Sequence, residues 1–153
     1  MIKQQPISLP GGRKTDVRTQ FAALCYRIKK RKLRILLVTS RRTGRWIVPK
    51  GWPIDGHTPA EAAVKEAWEE AGVRGLCDGR CIGIFSYSKG HPELGDLPCV
   101  AMVFTVEVTD VADKYPESRQ RERKWVSPKK AAAMVDDPEL SRILRDFDPQ
   151  ADG

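Results

Sequence analysis

The chain has 153 residues, 41% of them hydrophobic, with 27 Lys and Arg against 20 Asp and Glu and a formal net charge of +7. That length suits one domain with a sizeable core, and the apolar content excludes a disordered or fibrous chain. No long apolar run occurs, the opening MIKQQPISLPGGRK lacks the apolar stretch of a signal peptide, and nothing marks a lipid anchor, so a cytoplasmic protein without a membrane partner is expected.

Residues 1–17 read as a loosely ordered N-terminal segment, 18–147 as the folded domain and 148–153 as a C-terminal tail, on Gly, Pro and polar content. RTQFAALCYRI and LRILLVTS read as strands joined by a basic turn around Lys29 to Lys32, and RWIVP as a short strand leading to Gly51. CIGIFSYS and CVAMVFTVEV read as two further strands separated by a loop from Lys89 to Pro98. Ser127-Pro128 and Asp137-Pro138 each read as an N-cap followed by proline, opening helices through Met134 and through Phe147. Strands around one central helix, with helices at the end, predict an α/β fold: a mixed sheet covered on both faces.

The central helix is the best marked element. Thr58 is a good N-cap, Pro59 suits the first helical position, Glu61 completes a capping box and Gly72 can close the C-terminus. Ala60, Ala63, Val64, Ala67, Trp68 and Ala71 form an apolar stripe at helical spacing. Beside it, at about 100° per residue, Glu66, Glu69 and Glu70 fan over roughly a quarter to a third of the circumference. Like charges so placed repel by a few tenths of a kcal/mol per pair, and a hard cation with oxygen ligands is the usual offset; a solvated acidic face is the alternative.

Positive charge is clustered elsewhere. Arg27, Lys29, Lys30, Arg31, Lys32 and Arg34 crowd the first hairpin, Arg41, Arg42, Arg45 and Lys50 precede the central helix, and Arg119, Arg121, Arg123 and Lys124 precede Trp125. A basic rim around an acidic, cation-loaded centre suits a phosphate-rich small molecule. Nucleic-acid binding is the competing account and is not favoured, a solvated turn being the reading preferred for the hairpin run. Cys25, Cys77, Cys81 and Cys99 form no CxxC pair and have only His57 and His91 to join them, so buried thiols are expected rather than a zinc site or disulfides.

The segment GWPIDGHTPAEAAVKEAWEEAGV resembles the Nudix box in an ungapped register. Gly51, Glu66, Ala67, Glu69, Glu70, Gly72 and Val73 fall on its fixed positions, while His57 stands where the family has Glu and Lys65 where it has Arg. SRRTGRWIVP before it, with EEAGVRG and IGIF after, resembles the diphosphoinositol polyphosphate phosphohydrolase branch. Lys50-Gly51-Trp52 departs from that branch's glycine triplet, and PKG at this point is also typical of relatives that cleave dinucleoside polyphosphates.

The resemblance implies a Nudix-type α/β/α sandwich and a pyrophosphohydrolase using Mg2+ or Mn2+. It implies metal ligands at Glu66, Glu69, Glu70 and the Gly51 carbonyl, with Glu122 the candidate for an extra carboxylate, and catalytic work by the three box glutamates. Ser40, Arg41 and Arg45 would hold substrate phosphates, and Lys50 joins them as a basic residue at the mouth of the loop. The favoured substrate is a diphosphoinositol polyphosphate; the alternatives are a dinucleoside polyphosphate or a weakly catalytic domain that binds polyphosphate or RNA. Lys65 is expected to bridge Glu61 and Glu69, Asp55 to be available in place of the missing box acid, and His57 to be a polar loop residue.

Overall fold

The computed structural model describes residues 17–91, 93 and 95–150, His91 by its backbone alone. Most of the two expected terminal segments, 1–16 and 151–153, therefore lies outside the described residues. At the start of the tail, Gln150 N–H donates to Asp148 Oδ1 at 2.9 Å.

Among the described residues, eight strands make one mixed sheet: β1 (Arg18–Lys29), β2 (Lys32–Thr39), β3 (Trp46–Ile47), β4 (Lys50–Gly51), β5 (Val73–Leu76), β6 (Cys81–His91), β7 (Gly95–Val111) and β8 (Arg123–Val126). The spatial order is β3-β2-β1-β7-β5, with β4 on β1, β6 on β7 and β8 on β2. β1 runs parallel to β7 and antiparallel to β2. Because both faces of the sheet are covered, the central strands are apolar at successive positions. Ala22, Leu24, Ile35 and Leu37 point to one face; Ala23, Cys25, Leu36 and Val38 point to the other.

Each face has its helix layer. Ala63, Ala67 and Ala71 of the central helix pack on the second set with Phe104 and Val106. Helices α2 (Pro128–Met134) and α3 (Pro138–Asp146) cover the first set through Ala131, Leu140 and Leu144. The result is the expected α/β/α sandwich with a central mixed sheet.

Three features depart from expectation. β5 and β8 are short, with no apolar alternation to announce them, and exist because β7 and β2 offer open edges. The region from Lys89 to Pro98 continues the β6–β7 ladder, pairing Ser88 with Pro98 and Lys89 with Leu97. Pro98 is tolerated because the β1 ladder on the other side of β7 begins only at Cys99. Asp137 stands at the N-cap of α3, but its side chain makes no capping hydrogen bond.

Candidate functional site

The loop after β4 turns into α1 (Pro59–Glu66) through a complete capping box: Glu61 N–H donates to Thr58 Oγ1 at 3.1 Å, and Thr58 N–H donates to Glu61 Oε1 at 2.8 Å. The helix does not continue as α to Gly72. Its last turn, Ala67–Ala71, is π-helical, and Gly72 closes it at φ 68°. A π-turn holds more residues than an α-turn, which brings the residue four places on closer to the same azimuth and swings the residue three places on away. Glu66 and Glu70 are thereby aligned, and Glu69 departs from them.

The structure accordingly makes a pair of the expected trio. Glu66 is 1% and Glu70 4% exposed, whereas Glu69 is half-buried. Among the described residues no three His, Cys, Asp or Glu side chains are gathered closely enough to hold an ion. Burial first, then a hydrogen bond with Glu66 and that residue's charge, push the Glu70 carboxyl well above the usual carboxylate range; Arg121 and Lys50 pull it back. Two buried carboxyl groups in such contact require a proton or a cation between them.

Gly51 presses its backbone on Glu66: a Cβ built there would lie 2.5 and 2.7 Å from Glu66 Oε1 and Oε2. An oxygen-only donor set, buried and closed by a glycine backbone, fits a hard divalent cation such as Mg2+ or Mn2+.

A buried arginine, read in the sequence only as part of the basic run before Trp125, backs this pair. Arg121 Nη2 lies 3.6 Å from Glu70 Oε1, and its Nε donates to Glu117 Oε1 at 2.8 Å. The neighbouring Glu122 is exposed, its backbone paired with Thr39. Near the start of β8, therefore, residue 121 points in and residue 122 out, which removes Glu122 as a contributor to the buried pair.

Lys50 joins the carboxylates to the adjoining cleft. Its N–H donates to Glu70 Oε1 at 3.4 Å, while its side chain lines a cavity of about 420 Å3 with Nζ 4.9 Å from the centre of the Tyr87 ring. Burial pushes the Lys50 ammonium down to about 8, with Glu70 partly opposing. The Tyr87 hydroxyl is tied to Gln20 Oε1, making that ring a fixed wall. Ser40 and Arg45 also line the cavity; Arg45 Nε is 3.6 Å from Asp136 Oδ2.

Arg41 does not face this cleft. Its Nη1 donates to Gln120 Oε1 at 2.9 Å and its Nε lies 3.6 Å from Glu117 Oε1. Arg42 takes its place, lying over Gly90 where a Cβ would collide with the guanidinium, and Lys89 adds another cation. Trp46 lines the cavity, and Trp52 lies beneath Lys89 Nζ, 6.0 Å from its ring centre. Asp96, Asp136 and Asp137 supply acid to the same walls, so the cleft is cationic without being uniformly so.

The two box departures are now placed. His57 is a loop residue whose Nδ1 lies 3.1 Å from Asp55 O, and Asp55 is exposed. Glu61 Oε1 accepts from the Thr58 N–H, and Glu61 forms no ion pair with Lys65, so the expected bridge between them is not formed. All four cysteines are free thiols; Cys25 and Cys99 are buried, Cys77 and Cys81 partly so.

The fold is a mixed-sheet α/β/α sandwich whose loop-helix element buries paired carboxylates beside a cation-bearing cleft. The chain belongs to the Nudix family: the NUDIX domain model matches residues 18–147. It is 32% identical over 119 residues to Nudix hydrolase 12, mitochondrial, of Arabidopsis thaliana, covering 76% of this chain and 59% of that protein. It is 35% identical over 106 residues to diphosphoinositol polyphosphate phosphohydrolase 3-alpha of Mus musculus, covering 68% of this chain and 60% of that protein. The chain thus spans 59 to 60% of the length of these curated relatives.

A solved Ap4A hydrolase of C. elegans superposes with a TM-score of 0.59 at 20% identity, over 85% of this chain and 95% of that one. The MutT protein of Methanosarcina mazei Go1 gives 0.59 at 21% identity, over 91% and 98%. Both show the fold.

Proposed function

We propose that the protein is a cytoplasmic, metal-dependent pyrophosphohydrolase that cleaves a phosphoanhydride bond in a highly charged diphosphate, with diphosphoinositol polyphosphates the favoured class. One observation carries this reading. The buried pair Glu66 and Glu70 is joined through Lys50 to a cleft bearing Arg42, Arg45 and Lys89, which puts cation-binding oxygens next to anion-binding nitrogens.

Glu66 and Glu70 would hold Mg2+ or Mn2+, and Gly51 lets the backbone approach them as no larger residue could. The bound cation would neutralise phosphate oxygens and lower the pKa of water. Glu69, turned off the pair by the π-turn, is assigned the orientation and deprotonation of the attacking water. That water bonds to phosphorus as the bridging P–O bond breaks and the leaving phosphate takes the electron pair. Lys50, Arg42, Arg45 and the Ser40 hydroxyl would grip the remaining phosphates and neutralise the departing one.

A dinucleoside polyphosphate is the second reading, favoured by Trp46 and Tyr87 in the cavity wall and by Asp96, Asp136 and Asp137, which can accept hydrogen bonds from base or ribose but repel a fully phosphorylated ring. Nucleic-acid binding without hydrolysis is the least supported account, because a pure binder gains nothing from burying two acids together.

A panel of diphosphoinositol polyphosphates, dinucleoside polyphosphates, nucleoside diphosphate sugars and nucleoside triphosphates, assayed for phosphate products with Mg2+ and with Mn2+, tests the proposal. Preference for the first class supports the favoured reading, and preference for the second the alternative. Turnover of none contradicts both.

A further inference from the structure

Arg121 reaches the buried acids from outside the loop and helix that carry them. Its guanidinium meets three acceptors at once: Nε donates to Glu117 Oε1 at 2.8 Å, Nη1 donates to the Thr39 carbonyl at 2.9 Å, and Nη2 lies 3.6 Å from Glu70 Oε1. Its side chain is 8% exposed. A rigid fork so engaged has little rotational freedom, and a lysine there keeps the charge but loses the geometry.

The segment carrying Arg121, between β7 and β8, is fastened to the C-terminal turn of the carboxylate helix. Ala112 N–H donates to Gly72 O at 2.8 Å, Glu117 N–H to Glu69 O at 3.0 Å, and Arg123 Nη1 to Ala71 O at 2.8 Å. Tyr115 fills the space over Gly72 that a side chain would otherwise take. This connection is thus a built support for the end of the helix where Glu69 and Glu70 sit.

We propose that Arg121 is a positioning residue of the metal-binding site, acting on Glu70 from the β7–β8 connection. Glu117 orients Arg121, and Arg41, 3.6 Å from Glu117, extends the chain of charges to the loop that lines the substrate cleft. Arg121 holds one oxygen of Glu70 and offsets its buried charge, leaving acceptor sites on that carboxylate for a cation. This inference rests on the reading of Glu66 and Glu70 as metal holders.

The test measures Mn2+ affinity of the full chain without substrate, by the spin-resonance signal of free Mn2+, with thermal midpoints in chelator recorded for every variant. R121K is expected to weaken Mn2+ binding about 10- to 100-fold, the usual loss when a group orienting a ligand is removed. E117Q weakens it by a smaller factor. Native-like Mn2+ affinity in R121K and E117Q overturns the proposal. Should R121K not fold, E117Q alone carries the same comparison. A native protein that binds no Mn2+ at millimolar concentration overturns the metal-site reading itself, an outcome distinct from loss of the positioning role.

Discussion

Gly51 and Glu66, far apart in sequence, touch so closely that a Cβ on Gly51 would lie 2.5 Å from Glu66 Oε1. The collision is with the far end of a side chain, which can swing aside. Gly51→Ala should therefore fold with little change in thermal midpoint yet lose about 10²-fold in kcat, the scale of a misplacement of about 1 Å at a reacting centre. A steady-state assay beside a melting curve checks both halves.

Glu70 gives the apo protein a pH signature. Burial and the neighbouring Glu66 raise its folded-state pKa well above the usual carboxylate range, so the native state holds its proton more tightly than the unfolded chain. Stability without metal should then fall as pH rises from about 4.5 through the raised pKa. Glu70→Gln removes that penalty: in chelator its melting midpoint at pH 8 should exceed that of the native protein, with the gap closing in acid. Mg2+ should reverse the order, since a ligand at 100 times its Kd contributes about 2.7 kcal/mol to the form that binds it.

Lys50 predicts an alkaline limb. Its pKa is pushed down to about 8 from 10.5, so its positive charge is lost above pH 8 in the folded protein but only near pH 10.5 in the unfolded one. If that charge grips phosphate, kcat/KM falls above about pH 8, and Lys50→Arg keeps its activity further into alkali. The cost of burying the charge applies in full below pH 8 and is relieved between pH 8 and 10.5, where stability should gain from this group.

The arginines of the cleft loop should separate by direction. Arg45→Ala and Arg42→Ala each raise KM about tenfold or more, as expected for a charge-assisted hydrogen bond to phosphate. Arg41→Ala, whose side chain is engaged with Gln120 and Glu117, should leave KM nearly unchanged. Initial-rate kinetics at fixed ionic strength decide between them.

What the sequence made legible was local or periodic. Thr58, Pro59 and Glu61 announce the start of α1 because a capping box is built within one turn, and FAALC and ILLV read as strands because a sheet buried on both faces needs apolar residues at successive positions. The π-turn was invisible: Ala63, Ala67 and Ala71 repeat every four residues, a spacing that serves an α-turn as well as a π-turn, and Glu69 was accordingly grouped with Glu66 and Glu70. Arg42 rather than Arg41 lines the cavity, and Arg121 rather than Glu122 is turned inward beside Glu70. An irregular turn and a strand start do not declare which neighbour points inward. β5 and β8 were missed because the strands they complete, β7 and β2, lie elsewhere in the chain.

The most direct measurement is phosphate release from a diphosphoinositol polyphosphate by native protein and Glu70→Gln, each with Mg2+ and with chelator. Release is expected from the native protein only with Mg2+, with a drop of about 10²- to 10³-fold in Glu70→Gln, comparable to the loss of one strong electrostatic stabiliser. Equal release by the two proteins, or release unaffected by chelator, would contradict the proposed function.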